Sequence, residues 1–219
     1  IKINRGILTG LNEAFIISKE KRDELVNADP KSDEIIRPIL RGKDIKRYEY
    51  DFQNLYLINT HNGYVDENGN TIPPINIDDY PAVKDWLDSE EWNKNPKKGN
   101  SFKRLSERTD QGVTPYNLRS LAYMDDFSKP KIIWKIIGNQ LAFAIDNNEQ
   151  LVNNACYILT GNFLEYLVIF LNSKAIYWYS DITNMNKTGT GDVQIGAQNI
   201  ALFPIPKPNN QKQQPFIEL

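Results

Sequence analysis

The chain has 219 residues, of which 40% are hydrophobic, 11% aromatic and 25% charged. That profile belongs to a folded protein with a real core and excludes an intrinsically disordered chain, and the length fits one large domain or two small ones. The formal net charge of −2 gives no global attraction to nucleic acid, so any case for nucleic-acid binding rests on local clusters.

Residues 5–17 (RGILTGLNEAFII) read as strand, tight turn and strand, with Gly10 and Asn12 turning the chain between two apolar runs. Ser18 is placed to cap a helix from Lys19 to about Ala28, with Glu20 in its favoured first turn and Pro30 as its stop. Ser32 offers a second N-cap, backed by Asp33 and Glu34. The apolar positions Ile35, Ile36, Ile39 and Leu40 then have helical spacing, limited by Pro38. RGKDIKRYEY (41–50) reads as a basic turn entering extended structure, and Asn54–Thr60 alternates as a strand. Residues 61–76 are dense in Gly, Asn and Pro and form a loop or short hairpin. A helix is expected over 78–91, with Pro81 near its start and Tyr80, Val83, Trp86 and Leu87 on one face.

Residues 93–120 are polar, rich in Lys and Arg, and lack periodicity. Three successive strands are expected at 129–138, 139–148 and 152–161, joined by Gly-Asn and Asp-Asn-Asn turns. The strongest helix starts at Phe163. Leu164, Leu167, Val168, Leu171, Ala175, Trp178 and Tyr179 recur at three-to-four spacing there. Glu165, Asn172, Ser173 and Lys174 make that stretch too short and too polar to cross a bilayer. A polar loop (183–192) and a short element lead to FPIPKP (203–208), whose prolines close the domain.

Mixed elements without strict alternation, joined by tight turns, predict an α+β fold: one domain over 1–208, with twisted, mostly antiparallel sheets, packed helices and long polar loops. Residues 209–219 read as the start of a following helix or linker. With no signal peptide after Ile1, the sequence reads as a piece of a longer protein.

Catalytic chemistry has little to stand on. Cys156 is the only cysteine and lies in an apolar run, which excludes an intrachain disulfide and reads as an inert buried thiol in a reducing compartment. His61 is the only histidine, which limits or excludes a histidine-dependent triad, a two-histidine metal site and a zinc motif. KTGTGD (187–192) lacks the glycine framework of a P-loop. Asp78, Asp79, Asp85, Asp88, Glu90 and Glu91 read as a solvated helix face, and Asp125 and Asp126 as a turn or cap.

The charge is unevenly spread. From Asp51 to Asn93 Lys84 is the only cation, whereas Lys94, Lys97, Lys98, Lys103, Arg104, Arg108 and Arg119 follow with only Glu107 and Asp110 against them. A second cationic group comprises Arg37, Arg41, Lys43, Lys46 and Arg47, with Tyr48 and Tyr50 interspersed. Cations on loops neutralise phosphates, and Arg, Lys, Asn and Gln read base edges. A solvated basic face explains the same clusters equally well.

The order of segments resembles a known family. Gly6, Thr9, Gly10, Asn12, Ala14 and Phe15, followed by Ile36, Pro38, Leu40, Gly42, Asp44 and Ile45, are similar to the opening of the TaqI-like C-terminal specificity domain. YLINTHNG (56–63), KPKIIWKII (129–137), VNNACYILTG (152–161), LNSKAIYWY (171–179) and ALFPIPKP (201–208) continue the likeness in order. The resemblance implies a sequence-reading domain on the C-terminal side of an adenine-specific DNA methyltransferase, including type IIG enzymes. The parent would bind S-adenosylmethionine, while this piece carries no cofactor and no catalytic residue. The catalytic Asn/Asp-Pro-Pro-Tyr motif is absent, since Pro73-Pro74 lies in TIPPIN.

The expected partners are double-stranded DNA and the N-terminal methyltransferase domain of the same chain, in the cytoplasm and without a membrane. The candidate DNA contacts are Arg41, Lys43, Lys46, Arg47, His61, Asn62, Lys97, Lys98, Lys103, Arg104, Arg108, Asn186, Lys187, Thr188 and Thr190. Gly42 and Asp44 are expected to shape a turn, and Arg5 and Arg41 read equally as structural ties. The competing readings are half of a type I specificity subunit, a protein-interaction module, and a small hydrolase or ligand-binding domain with a pocket near Tyr157, Trp178 and 183–192.

Overall fold

A computed structural model describes residues 1–93, 104–183 and 192–207. In chain order its elements are β1 (Lys2–Arg5), α1 (Asn12–Phe15), β2 (Ile16–Ser18), α2 (Lys19–Ala28), β3 (Ile36–Leu40), β4 (Leu55–Ile58), β5 (Asn62–Val65), β6 (Thr71–Pro74) and α3 (Pro81–Asp88). There follow β7 (Lys131–Lys135), β8 (Ile137–Gly138), β9 (Phe143–Asp146), β10 (Leu151–Val152), β11 (Cys156–Thr160), α4 (Leu164–Leu171), α5 (Lys174–Ile182), β12 (Val193–Gln194) and α6 (Ala197–Ile200). The fold is α+β. The chain forms two compact units, the first built from residues 1–6, 40–53 and 126 onward, the second from 7–39 and 54–125.

The first unit holds an antiparallel sheet in the order β1-β11-β7-β9. Its central strands, KIIWK and CYILT, are buried on both faces, which is why they read as unbroken β-branched and aromatic runs. Helix α4 packs on β7 and β9, closing a core around Ile132, Trp134, Phe143, Leu159, Leu167 and Leu171. Burying each such side chain is worth about 1.5–3 kcal/mol. The three expected strands are present but not in consecutive positions. The Asp146 carboxylate accepts from the N–H groups of Asn148 (3.0 Å) and Gln150 (2.8 Å), turning the chain out of the sheet after β9. The chain comes back as β11, on the other edge of β7, while β8 pairs with β12.

Directly across the β7–β9 pair, Lys131 Nζ lies 2.6 Å from Asp146 Oδ2, and both side chains are fully buried. Lys131 also donates to the Phe127 carbonyl at 2.6 Å, and the Tyr50 hydroxyl donates to Asp146 at 2.9 Å. A buried ion pair repays its desolvation only with such additional hydrogen bonds. Gly6 donates its N–H to the Cys156 carbonyl, and a Cβ there would stand 2.0 Å from the Asn153 carbonyl oxygen, so the close approach requires glycine. Cys156 is fully buried, and burial pushes its thiol up to about 12.

The expected single helix from Phe163 is two helices. Asn172 ends the first: its amide donates to the Phe143 carbonyl at 2.8 Å and accepts from the Phe143 N–H at 3.1 Å. Ser173 then caps α5, accepting from Ile176 N–H at 3.2 Å. The new helix turns Trp178 outward, 62% exposed, where the apolar spacing had placed it in the core.

In the second unit β2 and β3 flank β4, both antiparallel to it. Residues 36–40 are strand rather than helix. Pro38 removes a helical donor, its ring drives Arg37 to extended geometry, and the isoleucines Ile36 and Ile39 are β-branched. Residues 12–15 also depart from the expected hairpin. The Thr9 hydroxyl donates to Asn12 Oδ1 (2.7 Å) and accepts from Leu11 N–H (3.2 Å), closing one helical turn before β2. Gly10 enters that turn at φ +69, the left-handed region that glycine tolerates without strain.

Helix α2 has the expected bounds, with Ser18 accepting from Lys21 N–H at 3.4 Å. Asp29, not Ser32, caps the 3₁₀ turn that follows. Residues 62–74 form the hairpin β5–β6. Helix α3 buries Val83 and Leu87, and Trp86 donates to the Ala14 carbonyl at 2.9 Å. No helix among the described residues is long and apolar enough to cross a membrane.

Candidate nucleic-acid interface

Among the described residues, the candidate cations of the first unit lie on the 41–50 segment. Asp44 is buried and takes both arms of Arg41, Nε and Nη2 each at 3.0 Å, and also the Arg41 N–H at 2.8 Å. This pair builds the turn, as expected of Asp44 and Gly42, and it commits the planar fork of Arg41 to a structural contact. Arg5 is likewise a tie, donating to the Asn154 carbonyl at 2.9 Å. Lys43, Lys46 and Arg47 are exposed. Arg47 alone among them is anchored, its Nη2 donating to the Asn172 carbonyl at 2.6 Å and its guanidinium lying 5.3 Å from the Tyr48 ring centre.

In the second unit His61 and Asn62 stand at the start of the β5–β6 hairpin. His61 Nδ1 accepts from the Gly63 N–H at 3.2 Å, its ring meets Tyr64 edge to face at 5.2 Å, and burial lowers its pKa. The Nδ1 acceptor role needs the unprotonated ring, and burial favours it too, so His61 brings no positive charge to a phosphate at pH 7. As the only histidine it gives one unambiguous NMR titration, expected to have its midpoint below 6.5; a midpoint above 6.5 contradicts this geometry. The sign follows from linkage: the unfolded chain binds the proton first, so this group's contribution to stability falls as the pH drops below about 6.5. Asn62 uses both ends of its amide internally, donating to Ser120 Oγ at 2.6 Å and accepting from Val113 N–H at 2.7 Å.

Arg104 is exposed at the start of a 3₁₀ turn, its N–H bonded to Glu107. Arg108 is buried, and its place among the candidate contacts is corrected. It is 1% exposed and donates to the carbonyls of Thr9 (2.6 Å), Pro115 (2.9 Å), Asp110 (3.2 Å) and Asn117, with its guanidinium 4.4 Å from the Phe15 ring centre. Burial lowers its pKa to about 10, and Asp110 opposes the shift, so Arg108 remains a cation at neutral pH. Its job is to tie the 9–15 turn to the 108–117 loop. Charge alone does not distinguish the two roles, because a lone Arg between turns satisfies carbonyl acceptors as readily as phosphates.

Lys97, Lys98, Lys103, Asn186, Lys187, Thr188 and Thr190 lie outside the described residues. Of the pocket expected near Tyr157 and Trp178, Tyr157 is stacked on Trp134 with ring centres 5.4 Å apart. Among the described residues no group of three or more His, Cys, Asp or Glu side chains is arranged to hold a metal ion.

Residues 37–205 match the model of the TaqI-like C-terminal specificity domain. The chain belongs to this family. The match begins at Arg37, so the opening 5–36, which carried much of the resemblance, falls outside it. The fold is similar to part of a solved structure of the type IIL restriction-modification enzyme MmeI in complex with DNA, with a TM-score of 0.63 at 13% identity. That likeness covers 97% of this chain and 26% of the MmeI chain, so this specificity domain spans about a quarter of that enzyme.

Proposed function

We propose that this specificity domain reads a sequence in double-stranded DNA on behalf of a restriction-modification adenine methyltransferase. The family match over 37–205 carries the reading. The exposed Lys43, Lys46 and Arg47 on one turn of the first unit, and Arg104 in the second, support it as charges available to phosphates. In this reading phosphate contacts set register, side chains in the major groove set specificity, and the domain performs no bond chemistry. The methyl donor, S-adenosylmethionine, binds a catalytic domain N-terminal to this one in the parent chain, which flips out the target adenine in the cytoplasm.

Fluorescence anisotropy of the 219-residue chain with a labelled duplex tests the reading. Binding is expected at low salt, with affinity falling by about 0.9 log unit per tenfold rise in salt for every phosphate engaged. No duplex binding at about 50 mM salt, where phosphate contacts are still strong, sinks the proposal.

A further inference from the structure

A cleft of about 200 Å³ opens in the first unit where Arg47 faces the start of α5. Gln140, Leu141, Leu171, Ser173, Lys174 and Tyr177 line it with Arg47, and no carboxylate does so among the described residues. Arg47 and Lys174 come from segments far apart in sequence. Two cations lining one cleft raise its positive potential, which favours an anion there. Gln140 and Tyr177 add neutral donors at the same wall, and Tyr177 is 50% exposed.

The cleft is rigidly built. The Phe143 carbonyl accepts from both the Asn172 amide and the Tyr48 N–H, each at 2.8 Å, while the Asn172 carbonyl accepts from Arg47. The same knot holds Tyr48 at φ +68, a left-handed conformation that a bulky residue adopts only when its surroundings impose it. Its ring is thereby kept 51% exposed beside the Arg47 guanidinium. An ordered cation and an ordered aromatic ring held side by side at a surface suit a nucleic-acid backbone, phosphate on the cation and sugar or base edge on the ring.

We propose that this cleft seats a backbone phosphate of duplex DNA, with Arg47 and Lys174 as its charge partners and Gln140 and Tyr177 as neutral donors. The site rests on the DNA-reading function proposed above and adds to it residues of α4–α5 that charge clustering in the sequence did not select. Because phosphates are common to all sequences, the contact strengthens binding to every duplex alike.

The experiment compares the 219-residue chain with its Lys174→Ala variant, titrating a fixed duplex and an unrelated duplex across a salt series. Lys174 is exposed in the first turn of α5, where alanine is a good helix former, and circular dichroism checks that the fold is kept. Lys19→Ala, in the second unit and on α2, is the control for losing one positive charge. The expected result is a salt slope shallower by about 0.9 for Lys174→Ala on both duplexes, and an unchanged slope for Lys19→Ala. Equal slopes for Lys174→Ala and the parent chain, with binding intact, overturn the cleft and leave the DNA-reading function standing. Loss of affinity for only one of the duplexes overturns a phosphate contact in favour of base reading. Absence of binding by the parent chain at low salt overturns both proposals.

Discussion

Replacing Asp146 with alanine is expected to destabilise the first unit by about 3–5 kcal/mol, a large share of the roughly 5–15 kcal/mol that holds a domain folded. The cause is the ammonium of Lys131, which is fully buried and 2.6 Å from the carboxylate that would be lost. The Tyr50 hydroxyl and the N–H groups of Asn148 and Gln150 lose their acceptor in the same step. Urea unfolding followed by tryptophan fluorescence measures the loss, since Trp134 sits in the same core. The double variant Lys131→Met, Asp146→Leu removes both charges at once and is expected to recover most of the stability, because an apolar pair has no ion to desolvate. A single Asp146→Ala variant as stable as the parent chain would mean that water reaches this pair.

Arg108→Met is expected to cost the second unit about 3 kcal/mol or more, on the scale of about 1–3 kcal/mol for each buried polar group left unsatisfied. The carbonyls of Thr9, Asp110 and Pro115 lose the guanidinium as donor, Asn117 keeps only the Gly112 N–H, and methionine returns only part of the packing against Phe15. Thermal unfolding reads the loss. The same variant separates structure from recognition: at temperatures where it remains folded, its DNA salt slope should equal that of the parent chain. A slope shallower by about one phosphate would place Arg108 at the DNA after all.

The elements legible in the sequence were those with a local cause. Ser18 and Glu20 announced α2, Pro81 and the stripe of Val83 and Leu87 announced α3, alternation announced β4, and apolar runs between turn residues announced β7 and β11. Failures came where a distant partner decided the outcome. Asn172 breaks the C-terminal helix because it clasps Phe143, and no spacing rule encodes that contact. At 36–40 the apolar spacing suggests a helix, but the restriction that Pro38 imposes on Arg37 decides for strand. At the candidate interface the turn geometry of Gly42 and Asp44 was legible, and the family was recognisable from the order of segments. Which cations face outward was not legible. Arg47 and Arg108 look alike in a string of letters, yet one is exposed and the other lies beneath the surface holding carbonyls.

The way the backbone alternates between the two units constrains how new target specificities can be grafted. The chain leaves the first unit after Gly6, re-enters it at Leu40, leaves again after Gln53 and returns for good at Asp126. A chimaera that exchanges one unit intact between relatives therefore needs crossover points at all four passages, and a single junction would splice half of one core to half of another. Recombination by one breakpoint should mostly yield insoluble protein, whereas exchange of the 7–39 and 54–125 segments together keeps each set of packed side chains with its own partners.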